Sequence, residues 1–87
     1  MKLLPALLLL AITSAVRAQD YPTRPIRMVV PQAAGSASDT VARIIAGELT
    51  TRLKQQVIID NRAGAGGIVG MQIATAAPPD GYTLMLT

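Results

Sequence analysis

Twice along this chain a short apolar run stops at a glycine-bearing loop, and each loop opens into a helical pattern. Ile26-Arg27-Met28-Val29-Val30 ends at Pro31, and the stretch from Gln32 to Ala37 contains Gly35. Val57-Ile58-Ile59, short and β-branched, gives way to Asp60-Asn61-Arg62-Ala63-Gly64-Ala65-Gly66-Gly67. A third run, Tyr82 to Leu86, follows the turn signal Pro78-Pro79-Asp80-Gly81. The resulting β-α-β-α-β order restricts the fold severely. It predicts an α/β protein with a parallel sheet, because parallel strands need crossover connections and those connections are right-handed.

The helical stretches are read from spacing. From Ser38 onward, Val41, Ala42, Ile44, Ile45, Leu49 and Leu53 recur at intervals of three and four, which assigns them to one apolar stripe. Ser36 or Ser38 supplies the cap, and Gly47 marks close packing onto a sheet. A second helix is expected from about Ile68 to Ala76, with Ile68, Met71, Gln72 and Ala76 forming a weaker apolar face. Pro22 and Pro25 keep the segment before the first strand extended. The expected buried set is Ile26, Val29, Ile45, Leu49, Ile58, Leu84 and Leu86.

The beginning of the chain reads differently. Lys2 precedes an apolar stretch from Leu3 to Ile12, and Val16-Arg17-Ala18 has small residues at the two positions a signal peptidase reads. Residues 1–18 are therefore expected to be a secretory signal peptide, cut between Ala18 and Gln19. The run is too short for a membrane anchor, which needs about 20 apolar residues. Residues 19–87 are then the mature segment, expected outside the cytoplasm and not embedded in the membrane.

Removal of the leader also changes the electrostatics. Lys2 and Arg17 leave with it, so eight basic residues become six against five acids, a net charge of +1 rather than +3. Nucleic-acid binding, which needs a clustered basic face, loses its support. The chain contains neither cysteine nor histidine, which excludes a disulfide framework, Cys/His metal sites and nucleophile–histidine catalysis within it. Two tyrosines are the only aromatic residues, so stacking platforms for bases or sugars are not expected.

Both glycine-bearing loops follow a strand and precede a helix, so in a parallel sheet both lie at the carboxyl ends of the strands. Ligands of open α/β sheets bind along that edge. Helix N-termini present unpaired N–H groups there, the helix dipole favours an anion, and small residues allow close approach to the backbone. The candidate binding residues are Ala33, Ala34, Gly35, Ser36, Ser38 and Asp39 in the first loop and helix start. In the second loop they are Ala63, Gly64, Ala65, Gly66 and Gly67. Asp39 is equally well read as a dipole-stabilising acid in the first turn of its helix or as a ligand contact. Arg62 fits a carboxylate partner, although a lone loop arginine is more often solvated or paired within the protein.

Several runs resemble one family. Tyr21-Pro22-Thr23-Arg24-Pro25-Ile26-Arg27 resembles the mature start of the tripartite tricarboxylate transporter receptors, the Bug-type periplasmic solute-binding proteins. Pro31 to Asp39 is similar to their first loop, Asn61 to Gly67 to their Asn-Arg-Pro-Gly-Ala-Gly-Gly loop, and Pro79 to Leu84 to their Pro-Asp-Gly-Tyr-Thr-Leu turn. The chain departs from that pattern with Gln32 at a usually aromatic position, Ala34 and Ala63 at usual prolines, Ser36 at a usual glycine, and Ile68 at a commonly small or polar position. The resemblance implies the N-terminal portion of a type II periplasmic binding fold, with sheet order 2-1-3. It also implies a small carboxylate ligand passed to membrane permease subunits, with neither catalysis nor cofactor.

The resemblance implies a protein several times longer than these 87 residues, so residues 19–87 are expected to be an incomplete N-terminal lobe, and a truncated product without activity is compatible with the same resemblance. The competing class is a dinucleotide-binding oxidoreductase, since Gly64-Ala65-Gly66-Gly67-Ile68-Val69-Gly70 approximates G-x-G-x-x-G. Its third glycine comes one residue late, four residues separate strand from first glycine, and Asp80 lies in a turn rather than at a strand end. N-terminal sequencing of exported material is expected to begin at Gln19, and a periplasmic product that retains Met1 would refute the leader.

Overall fold

The computed structural model describes residues 20–87, so the expected leader and its cleavage site lie outside the described residues. Three strands form one sheet. β1 (Ile26–Val30) pairs in parallel with β2 (Val57–Asn61) on one side and with β3 (Thr83–Met85) on the other. The order β2-β1-β3 is the one expected. Helix α1 (Ala37–Leu53) connects β1 to β2, and α2 (Ile68–Ala76) connects β2 to β3.

Alternation along β1 assigns each residue a face. Ile26, Met28 and Val30 join Val57, Ala42 and Ala46 in one buried cluster, with Leu49, Leu53, Ile59, Tyr82, Leu84 and Leu86 packed around it. This is the α1 side. Val29 is also fully buried but faces the other layer, where α2 crosses β1 and β3. Full burial of Ile26, Val29 and Val30 contributes about 1.5–3 kcal/mol apiece before entropy is counted, so the central strand anchors both layers.

The first helix presents only half of its expected stripe, Ala42, Leu49 and Leu53, and the second presents a different face from the expected one. On α1 the inward residues are Ala42, Ala46, Leu49 and Leu53, while Val41, Ile44 and Ile45 are exposed. Small side chains let this helix approach the sheet closely, and the large ones flank it. On α2 the exposed residues include Ile68, Met71, Gln72 and Ala76, and the buried one is Gly70, with Ile73 and Ala74 half-buried beside it. Of the expected core, Ile26 and Val29 are buried and Leu49, Leu84 and Leu86 half-buried, but Ile45 is 39% and Ile58 49% exposed. Ile58 shares the Val29 side of the sheet, yet it lies on edge strand β2, which α2 does not cover.

β2 is also longer than its apolar run. Asp60 and Asn61, expected in the loop, pair in register with Val29 and Val30. At the opposite end of the sheet, the segment before β1 grips the turn before β3. Tyr21 donates its hydroxyl to the Gly81 carbonyl at 2.6 Å, and the Thr23 amide donates to the Tyr82 hydroxyl at 2.9 Å. Arg24 pairs with Asp80 at 2.9 Å and stacks 4.0 Å above the Tyr82 ring. The Thr23 hydrogen bonds to its oxygen lower the Tyr82 pKa, and the Tyr82 amide lowers that of Asp80. Two of the sequence's distinctive runs are thus the two halves of one contact.

Gly70 decides how closely α2 sits. A Cβ placed there would lie 2.6 Å from Pro31 Cβ, 2.9 Å from Pro31 Cα and 3.1 Å from the Arg62 carbonyl oxygen. Gly70→Ala is therefore expected to cost about 1–3 kcal/mol, read as a lower urea midpoint at unchanged slope. Gly47, expected to mark close packing onto the sheet, is instead exposed and an added Cβ there meets nothing within 4 Å, so Gly47→Ala is expected to stabilise the fold by up to about 1 kcal/mol and raise the midpoint. Equal effects of the two changes would refute the close-approach argument.

Candidate functional site

The two loops meet at the carboxyl ends of β1 and β2. Val30 accepts a hydrogen bond from the Arg62 amide at 2.8 Å, and the Asn61 side-chain amide donates to the Gln32 carbonyl at 3.2 Å. The candidate residues are therefore brought together on one edge. Ala33, Ala34 and Gly35 are exposed, Ser36 and Ser38 half-buried, and Ala63 to Gly66 exposed, with Gly67 half-buried.

Ser36, not Ser38, caps α1. Its extended backbone (φ −68°, ψ 167°) lets its hydroxyl accept from the Asp39 amide at 3.3 Å. The Ser36 carbonyl accepts from the Thr40 amide at 3.0 Å. Among the described residues, the amides of Ala37 and Ser38 have no acceptor, as the first turn of a helix dictates.

The second loop turns left-handed. Gly64, Ala65, Gly66 and Gly67 have φ of 138°, 48°, 66° and 98°. Glycine takes such angles freely, whereas the left-handed region costs Ala65 about 1–2 kcal/mol. A 3₁₀ turn over Ala65–Gly67 leads into α2 and uses some of the expected donors internally. The Gly67 amide donates to Gly64 and the Ile68 amide to Ala65. The amides of Ala65 and Gly66 have no acceptor among the described residues.

Asp39 is the most enclosed polar side chain here, with the residue 3% exposed. Its Oδ2 accepts from the Gly35 amide at 2.9 Å and from Arg43 Nε at 3.0 Å. Its Oδ1 accepts from Asn61 Nδ2 at 2.8 Å. The Gly35 amide first, then Asn61 and Arg43, hold its pKa down at about 2. Arg62 turns to Asp60, pairing with it at 2.8 Å, and Arg27 reaches the same carboxylate at 2.7 Å. Burial raises the Asp60 pKa, but the hydrogen bonds from Arg62 and Arg27 outweigh it and the net shift is downward.

Asn61, Arg43 and Gly70 were not among the candidates. Arg43 stands four residues after Asp39, the spacing of a helical ion pair, and that signal was available. Asn61 alternates onto the α1 side with Val57 and Ile59 once β2 is extended by two residues. Gly70 carries no side-chain signal, and its importance appears only when α2 is docked.

A family model described as the tripartite tricarboxylate transporter family receptor matches residues 41–87. Protein BugT of Bordetella pertussis is 45% identical over 76 residues, which are 87% of this chain and 23% of that protein. Among solved structures, the periplasmic binding protein BugD is 45% identical with a TM-score of 0.72, over 75% of this chain and 22% of BugD. MatC from Rhodopseudomonas palustris, solved with bound malate, is 43% identical with a TM-score of 0.72, over 75% of this chain and 22% of MatC. The chain thus spans about a quarter of the length of the proteins it matches.

The depressed Asp39 pKa has a consequence for acid stability. A carboxylate that titrates near 2 when folded and near 3.8 when unfolded stabilises the fold above pH 3.8, and that contribution disappears as pH falls through 2. Urea midpoints measured from pH 5 to pH 2 are expected to fall less steeply for Asp39→Asn than for the unaltered protein. Parallel pH profiles would show that Asp39 does not carry the effect.

Proposed function

The chain belongs to the tripartite tricarboxylate transporter receptor family, and on that footing we propose that it is the opening part of an exported, periplasmic receptor that captures a small carboxylate at this loop edge. The receptor then delivers the carboxylate to membrane permease subunits. The family is one of solute-binding receptors and not of enzymes. No described helix is long and apolar enough to cross a membrane.

The observation that carries the reading is the convergence of two small-residue loops on one sheet edge, joined by Asn61 and each offering amides without an acceptor among the described residues. A carboxylate accepts hydrogen bonds only, so a cluster of donors is its natural partner. The amides of Ala37 and Ser38 lie at the positive end of the α1 dipole, and those of Ala65 and Gly66 lie in the left-handed turn. The surrounding stretches Ala33 to Ser38 and Ala63 to Gly67 shape the approach, because their small side chains leave the backbone open. The malate bound by MatC supports a small carboxylate as the ligand class. In a two-lobed receptor the opposing lobe supplies the remaining hydrogen bonds and excludes water, so the 87-residue chain alone is expected to bind too weakly to detect.

Calorimetry on a full-length receptor carrying this segment tests the mechanism. Gly66→Val and Gly67→Val force β-branched residues into left-handed backbone and are expected to weaken malate binding by about tenfold or more. Arg62→Ala is expected to weaken it by less than about threefold, because Arg62 is already held by Asp60 at the surface. The reverse order would replace a main-chain site with a side-chain one.

A further inference from the structure

We infer that Asp39 is a positioning residue, whose carboxylate works with Asn61 and Arg43 as a clasp that sets the spacing between the two loops. This rests on the reading of the loop edge as a carboxylate site. Asp39, Asn61 and Arg43 form a closed ring in which each side chain bonds the other two. Arg43 Nε and Asn61 Nδ2 donate to Asp39 at 3.0 and 2.8 Å, and Arg43 Nη2 donates to Asn61 Oδ1 at 3.3 Å. Each loop is tied to the ring by a main-chain group. The Gly35 amide donates to Asp39 Oδ2, the Gln32 carbonyl accepts from Asn61 Nδ2, and Asn61 itself is the last residue of β2.

Three consequences follow from this closure. A carboxylate that is almost wholly enclosed and uses both oxygens on protein donors has no face left for a ligand. Its negative charge, which would otherwise repel an anion nearby, is matched by Arg43. The Gly35 amide is consumed by Asp39 and the Ser36 amide by Ala33, so neither is left to a ligand, whereas the Ala37 and Ser38 amides at the helix start have no acceptor among the described residues. Their distance from the Ala65 and Gly66 amides is set by the ring rather than by either loop alone. Binding groups must be held within about 0.5 Å of productive geometry, so a slack ring weakens a site it does not touch.

Exchanging the two partners separates positioning from contact. Asp39→Asn sets amide against amide and Asn61→Asp sets carboxylate against carboxylate, whereas the double exchange restores one donor to one acceptor. In the full-length receptor, each single change is expected to weaken malate and adipate alike, by about tenfold. The double exchange restores the bond between positions 39 and 61 in reverse but leaves the Gln32 carbonyl facing a carboxylate oxygen, so it is expected to recover only part of the affinity, to about threefold above either single change. Gly35 amide protection, followed by hydrogen exchange without ligand, should fall in Asp39→Asn and return in the double exchange. A double exchange no better than the single changes, an unchanged Gly35 amide, or a switch in preference between malate and adipate would overturn the clasp. If the unaltered receptor binds neither acid, Gly35 protection still decides this inference while the ligand reading fails.

Discussion

The orientation of α1 depends on a buried carboxylate. Asp39 is the first inward residue of the helix, and its hydrogen bond to Asn61 fixes the rotation of everything that follows. Residues 3, 7, 10 and 14 positions later, Ala42, Ala46, Leu49 and Leu53, then fall on the sheet side. Enclosing a charge is costly unless it is paired and fully hydrogen-bonded, and the three donors around Asp39 meet that requirement. A polar contact, not the largest apolar residues, therefore selects the buried stripe.

This explains why the sequence was partly misleading. Strand positions, their parallel pairing and the order β2-β1-β3 were legible because short β-branched runs alternating with helical stretches have few solutions. The helix faces were legible only in part, through Ala42, Leu49 and Leu53. Val41, Ile44 and Ile45 outweigh Ala42 and Ala46 on any hydropathy count, yet the small residues permit close approach and the large ones stay outside. On α2 the decisive residue has no side chain at all. Asp60 and Asn61 look like loop residues, yet they extend β2 because their side chains find partners on either face of its end.

The candidate edge was legible at the level of loops but not of atoms. That both loops share one end of the sheet follows from parallel topology alone. Which amides stay free does not, since Gly35, Gly67 and Ile68 donate to partners that sequence spacing does not identify. Arg62 illustrates the same limit: a free cation in a glycine-rich loop is, in the fold, half of a surface ion pair with Asp60. Side-chain charge at this edge is thus largely self-cancelled, by Arg62 with Asp60 and Arg43 with Asp39, and the exposed groups between the two loops are mostly main chain.

The bare α-carbon of Gly70 lies against the residue at which the first loop begins. Pro31 leaves β1, and α2 rests directly on it with the Arg62 carbonyl as a third body. The first loop is consequently wedged from beneath by a helix belonging to the second. Lifting α2 from the sheet would take away the surface on which Pro31 rests, so the packing of the second loop's helix bears directly on where the first loop starts.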